Sequence, residues 1–156
     1  MDRERVALML TQYGDDVFRL AMSYLGNRQD AEDICQNVFL KVLNTKHEPL
    51  PDKEKAWLLT CTANACKNHL KSFWRKNVGE LDETIAFTDS TDQTLYDAVM
   101  KLSPKYRVVI HLYYFEGYDQ NEISEILHLT RTAVQTRMSR AREMLKKELT
   151  DDEGAL

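Results

Sequence analysis

The stretch LSPKYRVVIHLYYFEGYDQNEISEILHLTRTAVQTRMSRAREMLKKEL, residues 102–149, decides the fold because it carries the start and stop signals of successive helices. Ser103 and Pro104 start the first helix, since a hydroxyl side chain can cap a helix and proline fits its first position. Gly117 ends that helix with a positive φ, and Asp119 caps the next one. Two short helices joined by a tight turn are thus predicted before a third helix begins.

The third predicted helix is long, amphipathic and basic. Thr130 caps it, and one face carries the apolar residues Val134, Met138, Ala141 and Leu145. Off that face lie the polar residues Arg131, Thr132, Gln135, Thr136, Arg137, Ser139, Arg140 and Arg142. The second and third predicted helices form a helix-turn-helix. A motif of this kind whose second helix is basic indicates binding in the major groove of DNA. A three-helix bundle whose basic face is only solvated is the alternative interpretation.

Composition predicts an all-α, cytoplasmic protein that is not an enzyme and holds no cofactor. Of the 156 residues, 43% are hydrophobic, without an apolar run as long as a membrane span and without a signal peptide pattern. The five glycines are scattered, which excludes a glycine-rich phosphate loop, and the motifs HExxH and GxSxG do not occur.

The charged residues are strongly segregated. Residues 64–77 carry four basic residues and no acid, whereas residues 78–98 carry six acids and no base, within a net charge of −4. Because DNA affinity scales with the number of cationic contacts, we expect weak binding to DNA unless a larger partner holds the chain there. The acidic stretch also predicts a linker: a first small helical domain over 1–76, a linker over 77–92, a second domain over 93–149 and a frayed tail over 150–156.

In the first domain the pattern predicts four helices, over residues 2–12, 13–25, 28–43 and 53–76. The first two are either continuous or bent near Gly14. Gly26 ends the second helix, Asn27 caps the third and Asp52 caps the fourth.

The helices over 28–43 and 53–76 each have two chemically distinct faces. On the helix over 28–43, one face is apolar and is expected to be buried, and the other carries acids and amides. Phe39 and Leu40 extend the apolar area towards its edge, and the apolar face consists of Ala31, Ile34, Val38 and Val42. Such a surface suits a protein interface, although a surface helix with a wide buried stripe explains it equally. On the second, Leu58, Cys61 and Ala65 face inward, and the opposite side carries Asn64, Lys67, Asn68, Lys71 and Arg75.

Three segments in this order resemble the extracytoplasmic-function sigma factors of bacterial RNA polymerase. DAEDICQNVFLKVL is similar to their polymerase-binding segment, AWLLTCTANACKNHLKSFWRK to their promoter-melting helix, and the stretch quoted first to their −35-reading domain. The resemblance covers about residues 13–149. It implies a region 2 domain that binds the polymerase clamp and the −10 element, and a region 4 domain that binds the −35 element and the polymerase flap. The implied partners are core RNA polymerase, promoter DNA and an anti-sigma factor, often membrane-tethered, with no small-molecule substrate.

The resemblance also implies roles for individual residues. Contacts to core polymerase fall on Asp30, Glu32, Asp33, Gln36, Asn37, Phe39 and Leu40. Contacts to the −10 element fall on Asn64, Lys67, Asn68, Lys71 and Arg75. At the −35 element, bases are read by Thr132, Gln135, Thr136 and Arg137, and phosphates are held by Arg131, Ser139 and Arg140. The loop over about residues 44–55 is the segment that traps a flipped −10 base. The sequence does not decide which of its residues Lys46, His47, Lys53 and Lys55 contacts that base.

Several positions depart from the family pattern. Phe73 and Trp74 stand where arginines are common, and they either stack on exposed bases or pack in a core. His128 stands where the turn usually has glycine, although histidine tolerates a left-handed backbone better than most residues. Gln135 replaces a common lysine, so a known −35 consensus does not transfer.

The cysteines do not form a metal site. Cys35, Cys61, Cys66 and His69 invite a metal interpretation, but Cys61 and Cys66 are five residues apart on one helix, about 140° around its axis, so they do not share an ion easily. We expect reduced cysteines. Two other classes stay open: a DNA-binding regulator that never binds polymerase, and a small helical adaptor that binds no DNA.

Overall fold

The structure is a computed structural model that describes the backbone of residues 1–76 and 94–154 and the side chains of residues 1–72 and 95–150. All regular secondary structure in these ranges is helical. The chain divides into two compact units, Met1–Leu81 and Asp82–Leu156. The predicted linker, residues 77–92, lies outside the described residues. Within those ranges no helix is long and apolar enough to cross a membrane.

The first unit consists of three α-helices and one 3-10 turn: α1 Arg3–Leu25, α2 Arg28–Asn44, the turn Pro51–Lys53 and α3 Glu54–Lys76. Each helix contacts the other two. The core between them is mainly apolar, with Met9, Val17, Leu20, Val38, Val42, Leu58 and Leu59 almost completely buried.

Helix α1 is continuous, so this unit has three α-helices rather than four. Gly26 ends α1 with φ 66°, and its N–H donates to the Met22 carbonyl at 2.8 Å. Asn27 Oδ1 accepts from the Asp30 N–H at 3.0 Å, which confirms the predicted cap of α2. The predicted cap at Asp52 is wrong, because Asp52 lies inside the 3-10 turn and α3 begins at Glu54.

The second unit contains four α-helices and a short π-helical segment: α4 Thr94–Lys101, α5 Pro104–Ile110, the π segment His111–Phe115, α6 Gln120–Leu127 and α7 Arg131–Gly154. Its core is formed by Val108, Val109, Leu112, Ile123, Val134, Met138 and Ala141, all at most 1% exposed. Helix α7 runs to Gly154, and the fraying expected of residues 150–156 stays a prediction.

The turns of the helix-turn-helix are built as the sequence predicts. Gly117 has φ 76°. Asp119 and Glu122 form a reciprocal capping box, in which each side chain accepts from the other residue's N–H, at 2.8 and 3.1 Å. His128 adopts the left-handed conformation with φ 54°, and Thr130 Oγ1 accepts from an α7 backbone N–H at 3.0 Å.

The start of α5 differs in detail from the prediction. Pro104 occupies the first position, but the Ser103 hydroxyl makes no capping hydrogen bond. The Ser103 carbonyl instead accepts from the N–H groups of Tyr106 and Arg107, at 3.0 and 3.1 Å. The predicted helix start is therefore confirmed, whereas the hydroxyl cap is wrong.

A buried arginine links α4 to α5. Arg107 is 4% exposed, and its Nη1 donates to the Met100 and Leu102 carbonyls, both at 3.1 Å. Carbonyls at a helix end have no partner within the helix, so a guanidinium that reaches them satisfies groups that burial would otherwise leave unpaired.

Candidate polymerase and DNA interfaces

Helix α2 presents an acid and amide face to solvent. Ala31, Ile34, Val38 and Val42 are buried as predicted. The side that faces solvent carries Glu32, Asp33, Gln36, Asn37 and Leu40, with Asp30 half-buried at its edge. Leu40 is 57% exposed, which gives this polar face one large apolar side chain.

Phe39 is the exception among the predicted polymerase contacts on α2. Its side chain is 7% exposed and belongs to the core of the unit. Phe39 precedes Val42 by three positions, so the two lie on neighbouring parts of one helix face and both turn inward. Phe39 is therefore a core residue of the free chain and its contact with polymerase stays a prediction, whereas Leu40 is the exposed apolar residue beside it.

Two of the α2 carboxylates already have partners. Glu32 pairs with Arg28 at 3.1 Å, one helical turn away on the exposed side. Asp30 Oδ2 lies 3.8 Å from Nε2 of His69 on α3. Asp33 and Gln36 make no side-chain hydrogen bond or ion pair within residues 1–72 and 95–150, so their polar groups are available to a partner.

Helix α3 faces solvent with the polar side chains predicted to touch the −10 element. Asn64, Asn68 and Lys71 are exposed and Lys67 is half-buried. The side chains of Phe73, Trp74 and Arg75 lie outside the described residues. The buried face of α3 differs from the predicted one. Leu58 is buried as predicted, whereas Cys61 and Ala65 are half-buried at its edge.

The residues that fill the core from α3 are Leu58, Leu59, Thr62, Ala63 and Cys66. The stripe is broad because α3 packs against both α1 and α2, so side chains on two adjacent rows of the helix are covered. Thr62 is polar but satisfied, since its hydroxyl donates to the Leu58 carbonyl at 2.7 Å.

An open groove of about 570 Å³ lies between α2 and α3. Its lining residues are Ile34, Asn37, Leu40, Lys41 and Asn44 of α2 and Ala65, Asn68 and His69 of α3. Asn37 and Leu40 of the predicted polymerase interface and Asn68 of the predicted −10 interface therefore line the same groove.

The loop between α2 and α3 is held by contacts from α1. Nε of Arg5 donates to Glu54 Oε1 at 2.9 Å and its Nη1 to Glu48 Oε2 at 3.3 Å, while Nη2 donates to the Pro49 carbonyl. The His47 ring lies 6.3 Å from the ring of Trp57 on α3. No sequence pattern indicates the role of Arg5, because its partners are more than forty positions away.

Helix α7 separates an apolar face from a polar face. Val134, Met138 and Ala141 are fully buried, and Leu145 is half-buried further along the same stripe. The predicted DNA contacts Arg131, Thr132, Gln135, Thr136, Ser139 and Arg140 are exposed, and Arg137 is half-buried. These side chains therefore share one solvent-facing surface of a helix that follows a tight turn.

Two family profiles and several relatives match this arrangement of helices. Sigma-70 region 2 matches residues 9–76, and sigma-70 region 4 matches residues 92–145. The RNA polymerase sigma factor SigV of Bacillus subtilis is 30% identical, over 92% of this chain and 90% of that protein. The ECF (extracytoplasmic-function) RNA polymerase sigma factor SigW of the same organism is 28% identical, over 96% and 91%. The chain belongs to the ECF sigma factors.

As an ECF sigma factor, the protein directs promoter-specific initiation of transcription by core RNA polymerase. Sigma factor RpoE, solved in complex with the anti-sigma factor NepR from Bartonella quintana, has the same fold. Its TM-score is 0.74 at 22% identity, over 92% of this chain and 96% of that one. CnrH, solved with the cytosolic domain of CnrY, has a TM-score of 0.68 at 22% identity, over 97% and 91%.

Aromatic side chains of the sigma factor's second unit hold two arginines of α7. A hydrogen bond with the Arg140 side chain lowers the pKa of Tyr106. Nε of Arg142 donates to the Tyr114 hydroxyl at 3.0 Å, and its guanidinium lies 5.4 Å from the Tyr113 ring centre. The tyrosines lie on α5 and the π segment, so α7 is fixed to these elements by polar contacts as well as by its apolar stripe.

Burial raises the pKa of all three cysteines of this sigma factor. Burial, with a smaller effect of Glu32, raises the pKa of Cys35 to about 11. Burial, with a smaller effect of Cys35, raises the pKa of Cys66 to about 12. Burial also raises the pKa of Cys61. All three are free thiols, and the side chains of residues 1–72 and 95–150 contain no cluster of three His, Cys, Asp or Glu suited to a metal ion.

Proposed function

We propose that three helices divide the contacts of this sigma factor: α2 binds core polymerase, α3 with its preceding loop binds the −10 strand, and α7 binds the −35 duplex. The observation that carries this proposal is the separation of chemistry between helix faces. On α7 the buried stripe is wholly apolar and the exposed face is polar and basic, with six of the seven predicted contacts exposed.

The α2 surface has the properties needed to bind a basic partner. Carboxylates and amides accept hydrogen bonds from the arginines of a basic surface, and those to a carboxylate are charge-assisted. The exposed Leu40 adds an apolar contact area to the same face of α2. Because Asp33 and Gln36 are exposed and make no side-chain contact within the described residues, binding polymerase would break no existing bond at these positions.

Charge reversal on α2 tests this assignment. We expect Asp33→Arg to abolish co-elution with core RNA polymerase, because it places a cation against a basic surface. Asp15→Arg, a reversal at an exposed position of α1, is the matched control and should co-elute normally. Normal co-elution of Asp33→Arg would contradict the role of α2.

The α3 surface suits a single strand of DNA. The side-chain amides of Asn64 and Asn68 can read base edges, and Lys71 can hold a phosphate. These residues follow one another at helical spacing, so a strand lying along α3 meets them in turn. We expect Asn68→Ala to weaken binding of the polymerase complex to a single-stranded −10 oligonucleotide and to leave co-elution with polymerase unchanged. Unchanged binding would contradict the assignment of Asn68.

We infer that the protein acts in the cytoplasm and has no catalytic activity of its own, since the polymerase supplies the chemistry. We also propose regulation by an anti-sigma factor, tethered in the membrane. The relatives RpoE and CnrH are bound by NepR and by the cytosolic domain of CnrY, which supports this step. Isolation of tagged protein from its own host should yield one membrane protein that competes with core polymerase. Recovery of polymerase alone under all conditions would contradict it.

A further inference from the structure

We propose that Arg5 is a positioning residue for promoter opening, because it fixes the loop over residues 45–53 in the shape that receives an unstacked base of the −10 strand. This proposal rests on the assignment of that loop and α3 to the −10 element. It adds a residue of α1, remote in sequence from the loop, to the machinery that recognises the opened promoter.

Arg5 contacts the loop at its middle and at its end. One guanidinium reaches three acceptors: the Glu48 carboxylate, the Pro49 carbonyl and the carboxylate of Glu54 in the first turn of α3. All three of its nitrogen atoms donate, so its orientation is fixed. The Arg5 side chain is 24% exposed and that of Glu54 is 14% exposed, so solvent screens their pair only in part.

The loop has few other internal bonds. Backbone hydrogen bonds close it at its ends, from Thr45 N–H to the Val42 carbonyl and from Lys53 N–H to the Leu50 carbonyl. Among the described residues, the hydrogen bonds made by residues 46–49 are those donated by Arg5. Without this arginine, residues 46–49 would lose these hydrogen bonds and keep the burial of Pro49 and the ring contact of His47, while the N-terminal amine of Met1 would still donate to the Thr45 carbonyl at 2.9 Å.

The loop residues that Arg5 contacts lie next to aromatic and basic side chains that can bind a nucleotide. His47 immediately precedes Glu48, is exposed, and lies 6.3 Å from the Trp57 ring at an interplanar angle of 41°. Tilted aromatic rings at this distance offer faces on which a base can stack. Lys46 and Lys53 are exposed cations at either end of the same loop and can hold the flanking phosphates.

Fixing the loop in advance lowers the cost of capturing a base. Unstacking a base costs a few kcal/mol, and a loop that must also be ordered during capture would add to that cost. Since the chain contains no nucleotide-binding motif, binding energy alone must cover it. A fixed loop leaves more of that energy for opening the promoter.

The test uses the full chain assembled with core polymerase and a series of single-stranded −10 oligonucleotides, each with an abasic site at one successive position. We expect wild-type holoenzyme to lose roughly tenfold or more in affinity at one position, where the captured base is missing. Arg5→Gln should bind the intact oligonucleotide about as weakly as wild type binds that abasic one, and should be insensitive to the missing base.

Three further variants separate positioning from stability. Arg3→Gln removes an exposed arginine from the same helix and should behave as wild type. Arg5→Lys should recover part of the discrimination, because lysine keeps the charge but lacks the planar fork of donors. Glu48→Gln weakens the contact of Arg5 with the loop and leaves the Arg5–Glu54 pair intact. It should therefore reduce the discrimination between intact and abasic oligonucleotides with little change in thermal stability. This variant keeps the test valid even if Arg5→Gln folds poorly.

Two results would overturn the proposal. If Arg5→Gln and Glu48→Gln keep the full abasic penalty, Arg5 is a structural brace of the first unit and does not position the base. If wild-type holoenzyme binds every abasic oligonucleotide as well as the intact one, the assignment of the loop to base capture fails and the role of Arg5 fails with it. The first result leaves the −10 assignment intact, so the two failures are distinguishable.

Discussion

Arg137 stands at the border of the α7 surface, half-buried beside the fully buried Met138. Its position differs from that of the exposed residues around it, since part of its side chain packs against the unit. An arginine held in this way loses less side-chain entropy when it contacts a base, which favours its role in reading sequence.

We predict that Arg137→Ala lowers transcription from a dependent promoter by roughly tenfold or more, because a specific contact to a base edge contributes ~1–3 kcal/mol. Run-off transcription with core polymerase measures the effect. Lys146→Ala removes the same charge from the exposed part of α7 nearer its end and should change transcription little. An unchanged transcript level for Arg137→Ala would remove this residue from the reading surface.

The cysteines give a second prediction at this scale. The pKa of Cys35 is raised to about 11, so at pH 8 it holds far less thiolate than in the unfolded chain. Alkylation of Cys35 in the folded protein should therefore be at least about 100-fold slower than after unfolding, and should accelerate with pH up to about 11. Peptide mass spectrometry with iodoacetamide measures this rate. A rate independent of folding would show that the thiol lies in a polar, solvated environment.

At the scale of elements, most caps and turns could be predicted because they depend on neighbours within a few residues, although the caps expected at Asp52 and Ser103 were wrong. Asn27, Asp119, Thr130 and the left-handed His128 all occupy the positions that the sequence indicates. Local rules of this kind need no knowledge of how helices pack.

Other features depend on packing between distant segments and were not predictable. The π segment follows α5 without a break, with the Glu116 N–H donating to the His111 carbonyl at 3.1 Å. The burial of Phe39, like the reach of Arg107 to the end of α4, depends on which surface a neighbouring helix covers. Periodicity identifies a helix face, but it does not fix the width of that face.

His128 provides a prediction for the turn between α6 and α7. Its φ of 54° is strained for a residue with a β-carbon, so His128→Gly should stabilise the protein by about 0.5 kcal/mol, the strain relieved exceeding the entropy cost of glycine. His128→Val should destabilise it by more than 1 kcal/mol, about the cost of this conformation, because a branched β-carbon fits it least. Thermal unfolding of the three proteins gives the order, and a valine variant as stable as wild type would contradict it.

At the scale of the whole molecule, the net charge is acidic although the second unit carries a helix proposed to bind DNA. The formal net charge is −4, although α7 carries a basic face. Residues 77–92 contribute the five acids Glu80, Asp82, Glu83, Asp89 and Asp92. Acids tied to a DNA-binding unit repel phosphates and lower its affinity for DNA of any sequence.

We predict that replacing these five acids with their amides, which raises the formal net charge to +1, increases the affinity of the free chain for duplex DNA several-fold at about 50 mM salt. The gain should shrink at about 300 mM salt, where charges are screened over shorter distances. Fluorescence anisotropy with a −35 duplex measures both values. A segment of the same composition in scrambled order is the control, and equal affinity of the amide variant at low salt would contradict the prediction.

The contacts of Arg142 with two tyrosines bear on how DNA binding responds to salt. Each cation that meets a phosphate releases condensed counterions, and the logarithm of affinity falls with a slope of about 0.9 per phosphate neutralised. Arg142 donates a hydrogen bond to Tyr114 and lies against the rings of Tyr113 and Tyr114. Arginines already engaged within the fold displace fewer ions, so the salt slope of this region should be shallower than a count of its basic residues implies.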